Sequence, residues 1–328
     1  MENKPRQTLV KVSVVLSFLN EEKVLPELIS RLRVVFAKLK KETIVFDYEL
    51  IFINDDSTDH SEKILRSEIE KGDIVLINMS RNFGVTECAM AGFRQSTGDI
   101  VVYMDADLQD PPELIPKMIQ AWRESPDVEV VYTTRRQRLG ENRLKMLVTK
   151  LGYRFINSIS DIDLPVDSGD FKLLTRTVVN ILCALPEDKP YMRGLVNWVG
   201  FKQKQVFYDR DARFDGAENT KMTVLSRKVI FYWLDRALIS FSDMPLKLVL
   251  FLGFFLSILS SLYIVVVIYQ KIVGIAVPGF SAIMSAVLLL GSMNLLTVGV
   301  VGLYISAIFK QVKGRPPYVI KEVIKKDS

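Results

Sequence analysis

The segment VVYMDADLQDPPELIPKM, residues 101–118, puts three carboxylates, Asp105, Asp107 and Asp110, within six positions directly after an apolar run. Carboxylates this close repel one another unless something positive stands between them. A divalent cation, an arginine or full exposure to water would each satisfy the pattern. Polar clusters recur at Asn20-Glu21-Glu22, Asn54-Asp55-Asp56 and Arg81-Asn82. Asp and Asn also favour turns and helix N-caps, which could explain any one cluster, Asn20 and Asp59 best of all. Four such clusters are hard to attribute to turn chemistry alone.

The elements that must position these residues are legible as alternating patterns. β-Branched apolar runs at 10–17, 47–54, 73–79, 99–104 and 128–133 read as strands, and amphipathic stretches at 21–41, 59–70, 84–96 and 112–124 read as helices. This order predicts an α/β fold with a mostly parallel sheet and helices on both faces. In such sheets ligands bind outside the carboxyl ends of the strands, so all four clusters fall on the ligand edge. No Walker A sequence is present, and no G-x-G-x-x-G follows the first strand. His60 is the only histidine. That excludes a His-based triad or a multi-His zinc site, and His60 reads as a solvated loop residue.

The 328 residues suffice for one sizeable domain plus an appendage. A net charge of +5 and a pI near 9.0 are too mild to argue a nucleic-acid partner. Cys88 and Cys183 imply no disulfide framework; both fall in segments that read as buried helices, which fits a reducing cytosol. The opening MENKPRQTLVKVSVV lacks the apolar stretch of a signal peptide, so the first domain is expected to be cytoplasmic. Residues 248–269 and 279–309 carry no charge and are long enough to span a bilayer, the second with tilt or protrusion. The tail KQVKGRPPYVIKEVIKKDS is rich in Lys and Arg, which puts it in the cytoplasm. The expectation is an integral inner or plasma membrane protein with both termini on the cytoplasmic side of a two-helix transmembrane hairpin. Residues 223–241, with Arg227, Lys228 and Asp235 on one helical side, read as an interfacial helix. Asn294, mid-span, reads as an interhelical hydrogen-bonding residue, and association of the spans into a homo-oligomer is plausible. The basic stretch 133–145, holding Arg135, Arg136, Arg138, Arg143 and Lys145, suits bidentate recognition of phosphate and equally suits a loop facing anionic lipid.

Seven motifs in order resemble those of the family 2 glycosyltransferases of the GT-A fold. Within that family the chain is similar to the polyprenyl-phosphate glycosyltransferases, relatives of dolichyl-phosphate mannose synthase. The motifs are SVVLSFLNEE, INDDSTD, SRNFG at 80–84, MDADLQDPPELIP at 104–116, SGDFKLL at 168–174, RGLVNWVGF at 193–201, and VKGRPPYVI after the two uncharged stretches. The resemblance covers almost the whole chain and implies a GT-A, Rossmann-like domain over residues 1–215. An interfacial region at 216–245, a transmembrane pair at 246–310 (about 248–269 and 281–309) and a basic cytoplasmic tail at 311–328 complete the expected organisation.

The resemblance also implies roles. Asp105 and Asp107 would hold Mg²⁺ or Mn²⁺ with the diphosphate of a UDP-sugar, and Gln109 would contact the ion or the acceptor phosphate. A magnesium site of one or two carboxylates completed by phosphate oxygens is ordinary chemistry for a hard cation. Asp55 matches the acceptor of a uracil hydrogen bond, with Glu21, and Glu22 beside it, near the same pocket. Arg81 would pair with phosphate or with a carboxylate. Arg135, Arg136, Arg138 and Arg193 would face the acceptor phosphate. Asp170 matches the family's catalytic carboxylate, but a phosphate monoester with a second pKa of about 6 attacks without a base. Asp170 therefore also reads as orienting an arginine or the metal. Asp110 reads as the cap of the helix that Pro111 opens. Ser17 and Leu19 stand in the nucleotide loop where the family usually has Pro and Tyr, and Asp56 replaces a glycine, so that turn must tolerate a side chain.

The activity implied is inverting transfer of a hexose from a UDP-sugar to polyprenyl (undecaprenyl) phosphate at the cytoplasmic face of the lipid bilayer, releasing UDP. Two other readings compete: a processive polysaccharide synthase, disfavoured because Q-x-x-R-W is absent, and a non-catalytic nucleotide-sugar-binding scaffold, supported only by Leu19 and Asn54.

Overall fold

The computed structural model describes residues 6, 9–135, 168–187, 190–209, 214, 244–274 and 279–326. Eight strands form one sheet in the order β7-β5-β6-β4-β1-β2-β3-β8. The five expected strands are β1 (Val10–Phe18), β2 (Val45–Asn54), β3 (Ile74–Met79), β4 (Ile100–Asp105) and β5 (Val130–Arg135). Three more complete the sheet: β6 (Ser168–Thr175), β7 (Gln203–Tyr208) and β8 (Ile320–Lys325). The centre β4-β1-β2-β3 is parallel, and so is β5 with β7. β6 runs antiparallel to β4 and β5, and β8 antiparallel to β3, so the sheet is mixed.

Alternation along β1 builds two cores. Val12, Val14 and Leu16 join the layer containing Leu28, Leu32 and Phe36 of α1 (Leu25–Lys41), Leu65 of α2 (Ser61–Glu68) and Met118 of α4 (Ile115–Arg123). Val15 joins the opposite layer, with Cys88 and Phe93 of α3 (Val85–Gln95), Val178 of α5 (Arg176–Ala184) and Leu195 of α6 (Met192–Trp198). Both cysteines are free thiols, Cys88 buried and Cys183 half-buried. At Gly92 the α3 backbone sits against the sheet: an added Cβ would lie 2.4 Å from Val15 Cγ1 and 2.8 Å from Ile53 Cδ1. Gly92→Ala is therefore expected to destabilise the fold by about 1–3 kcal/mol through overpacking, seen as a lower thermal midpoint in detergent. An unchanged midpoint would show that α3 can lift away freely.

Two long helices follow, α7 (Met244–Ile272) and α8 (Phe280–Val312), and they touch each other. Among the described residues one stretch, Leu289–Val312 in α8, is long and apolar enough to cross a membrane. Asn294 is exposed on α8. The end of α8 is tied back to the α/β domain. The Gln311 side chain donates to the Pro186 carbonyl, Tyr318 is buried beneath Arg94, and the Ser80 amide donates to Val319 O at 3.0 Å. In β8, Glu322 accepts from Asn78 Nδ2 at 2.8 Å and Arg66 Nη2 at 2.6 Å. The expected interfacial helix at 223–241 and the residues Arg136, Arg138, Arg143 and Lys145 lie outside the described residues.

Candidate active site at the carboxyl edge of the sheet

The parallel register brings the polar clusters to one edge: Ser17 lies opposite Asp105, Phe18 opposite Asn54, and Asn54 opposite Asn78. Much of the polarity in the first two loops is turn chemistry. Asn20, in the left-handed region at φ 58°, accepts the Thr58 amide on Oδ1 at 2.8 Å. Asp59 accepts the Glu22 and Ser61 amides, and Glu22 accepts the His60 amide at 3.0 Å and Nδ1 at 3.1 Å. The His60 backbone amide, and after it the His60 ring, hold the Glu22 carboxyl below its ordinary range. His60 is exposed, as expected. Asp56 sits at φ 68°, a backbone conformation natural to the glycine it replaces and more accessible to Asp than to most residues.

Asp55 is buried, and its carboxylate receives two backbone donors, Phe83 N at 2.7 Å and Gly84 N at 3.0 Å. It thus locks the loop after β3 against the loop after β2. Arg81 is exposed, stacks over the Phe83 ring at 4.0 Å and donates to Asn82 O at 3.1 Å; among the described residues it has no carboxylate partner. Glu21 is buried and Leu19 exposed on the loop between β1 and α1.

The first two carboxylates of DADLQD, Asp105 and Asp107, are kept out of the core by their apolar neighbours. Ala106 and Leu108 are buried in the α1/α4 core, which leaves Asp105 and Asp107 half-exposed between them. Leu108 adopts φ 57°, and Asp107 Oδ1 accepts the Gln109 amide at 3.0 Å, closing the turn. Gln109 is buried. Among the described residues no group of three or more His, Cys, Asp or Glu converges to hold a metal. Two carboxylates at an open edge fit a hard divalent cation whose remaining ligands come from phosphate and water. Asp110 departs from its expected role. The helical turn begins at Pro112 without a side-chain cap, and Asp110, buried, takes the hydroxyl of Tyr208 in β7. Its carboxylate serves the junction between that loop and the far strand.

Asp170 and Arg193 meet across β6 and α6. Arg193 Nε donates to Asp170 Oδ1 at 2.8 Å, and Nη2 donates to Oδ2, a bidentate pair in which both partners are half-buried. Arg135 ends β5 on the neighbouring strand. Tyr103 of β4 links this pair to the aspartate loop: its hydroxyl bonds Ser17, while burial and then the charges of Asp105 and Asp170 push its pKa well up. Neither Tyr103 nor Lys172 was singled out by residue type. The signal available was a polar position on the inward face of a strand, visible only once β6 is read as a strand.

The chain matches the model of glycosyl transferase family 2 over residues 13–182. It belongs to that family. It is 39% identical over 316 residues to an uncharacterized glycosyltransferase of Synechocystis sp., covering 96% of both chains. It is 34% identical over 314 residues to the bactoprenol glucosyl transferase of Shigella phage SfX, covering 95% of this chain and 99% of that one. Among solved structures it is similar to glucosyl-3-phosphoglycerate synthase of Mycobacterium tuberculosis in complex with Mn²⁺, UDP and phosphoglyceric acid. That similarity has a TM-score of 0.47 and 22% identity, over 70% of this chain and 78% of that one.

Proposed function

We propose that the protein transfers a hexose from a UDP-sugar to polyprenyl phosphate at the cytoplasmic face of the membrane, with inversion and release of UDP. The observation that carries this reading is the near-complete overlap with a bactoprenol glucosyl transferase, on a chain whose own carboxyl edge combines Asp105 and Asp107 with the Asp170–Arg193 pair. Asp55, Glu21, Arg81, Ser17 and Leu19 border the donor's nucleotide. Asp105, Asp107 and Gln109 hold Mg²⁺ or Mn²⁺, which supplies a positive charge for the leaving diphosphate. Arg193, with Arg135, Arg136 and Arg138, faces the acceptor phosphate. Residues 1–215 form the catalytic unit, 216–245 an interfacial region, 246–310 a membrane hairpin and 311–328 the basic tail. Pairing of β8 with β3 supports a tail on the same side as the catalytic unit. Holding the site at a lipid headgroup raises the effective concentration of the acceptor.

The test is a screen of radiolabelled UDP-sugars in membranes supplied with undecaprenyl phosphate, with UDP release followed in parallel. Label entering a lipid fraction only when undecaprenyl phosphate is present supports the reading. Label entering polymer would identify a processive synthase, and UDP-sugar binding without turnover would identify a scaffold.

A further inference from the structure

We infer that Lys172 is an anion-binding residue of this site, its ammonium receiving a phosphate oxygen of the acceptor. The inference rests on the transferase reading above and adds a residue to which the resemblance gave no role. Along β6, Phe171 and Leu173 enter the core beside Val131 and Trp122. Asp170, Lys172 and Leu174 take the other face, where Leu174 packs with Tyr103 and Val130. Lys172 lies between two tyrosines in register, Tyr103 of β4 and Tyr132 of β5.

Its environment is unusual for a lysine. Lys172 is 2% exposed, and among the described residues it has no hydrogen-bond or ion-pair partner. A buried charge is costly unless paired and hydrogen-bonded. Its nearby carboxylate, Asp170, is engaged by both arms of the Arg193 guanidinium. Burial lowers the lysine pKa to about 8, with Asp170 opposing the shift and Arg193 adding to it. Beside the Arg193–Asp170 pair, Lys172 thus adds a buried ammonium with no hydrogen-bonded anion of its own among the described residues. A phosphate monoester, with a charge of about −1.5 to −2 and several acceptor oxygens, has the complementary sign and hydrogen-bonding capacity. In the proposed reaction Asp105 and Asp107 would serve the donor's diphosphate through a divalent cation, so the acceptor's phosphate is the anion left for Lys172.

The test uses the full-length protein in detergent and the variants Lys172→Met and Lys172→Arg. Farnesyl phosphate and UDP with Mn²⁺ are titrated calorimetrically, farnesol serves as the uncharged control, and thermal midpoints are recorded. Lys172→Met should weaken farnesyl phosphate by about tenfold or more, as expected for loss of a charge-assisted hydrogen bond, while UDP affinity holds. Lys172→Arg should keep most of the affinity. The thermal midpoint of Lys172→Met should equal or exceed that of the wild type, because an apolar side chain of similar length replaces a buried charge. Equal farnesyl phosphate affinity in wild type and Lys172→Met overturns the assignment. Loss of UDP affinity with lipid binding intact moves Lys172 to the donor and overturns it too. A lower midpoint with weakened binding that Lys172→Arg does not rescue makes it a scaffold residue. Wild-type protein that binds farnesyl phosphate no better than farnesol overturns both this inference and the acceptor assignment beneath it.

Discussion

Asp107→Asn is expected to reduce sugar transfer by on the order of 10²–10³-fold, the range found when one electrostatic contact to developing charge is removed, while leaving the fold intact. The substitution is selective because Asn keeps the Oδ1 acceptor that receives the Gln109 amide at 3.0 Å. Leu108 can therefore remain in its left-handed conformation, and Ala106 and Leu108 remain in the core. What disappears is one negative charge at the mouth of the site. If that charge holds a cation, Asp107→Asn should also raise the Mn²⁺ concentration needed for UDP binding, which a calorimetric titration reads without any turnover. The thermal midpoint without ligand should stay at the wild-type value. Transfer near the wild-type rate at limiting Mn²⁺ would remove Asp107 from the metal site.

Asp170→Asn should lower kcat by about 10²-fold, the scale of misplacing a reacting group by roughly an ångström, without removing a limb of the pH–rate profile. The geometry motivates a positioning role. Both Asp170 oxygens are engaged by Arg193, and Lys172 and Asp170 also interact through their charges. A carboxylate so occupied is poorly placed to collect a proton. The acceptor phosphate, with a second pKa of about 6, needs none removed at neutral pH. The acidic limb of kcat should therefore follow the acceptor and persist in Asp170→Asn. Arg193→Met should give a similar loss, and the double variant little more, since each single change breaks the same pair. Disappearance of the acidic limb in Asp170→Asn would make the residue a general base instead.

The parallel centre of the sheet was legible because its strands end in long buried apolar stretches; β1 to β4, and β5 beyond them, fall within a few residues of the expected bounds. The rest was hidden by charge. β6 carries Asp170 and Lys172, β7 opens Gln203-Lys204-Gln205, and β8 reads IKEVIK, which looks like a basic tail. These strands exist because neighbouring strands supply backbone partners, which periodicity in one segment cannot reveal. The same split runs through the site. The aspartate loop announced itself by crowding, and its logic is local: buried Ala106 and Leu108 alternate with outward carboxylates. Asp110 misled for a related reason, since a proline directly after an aspartate signals a cap, whereas the hydroxyl that claims it comes from Tyr208, 98 positions away. Lys172 stood in plain view within SGDFKLL, but its isolation is a property of the folded sheet.

The pairing of β8 with β3 also constrains the order in which the protein can be made. Asn78 waits for Glu322 across 244 residues of chain, and α7 and α8 are synthesised in between. At about 5–20 residues per second during translation, the edge of β3 stays open for roughly tens of seconds after it leaves the ribosome. Such an edge is a template for pairing with other chains. The sheet is completed only after α7 and α8 have been synthesised, so closing the β3 edge is coupled to the making of those helices rather than a separate event. A chain halted before residue 244 would carry its aspartate loop yet lack its closing strand, and should be recovered as aggregate more readily than as a soluble catalyst.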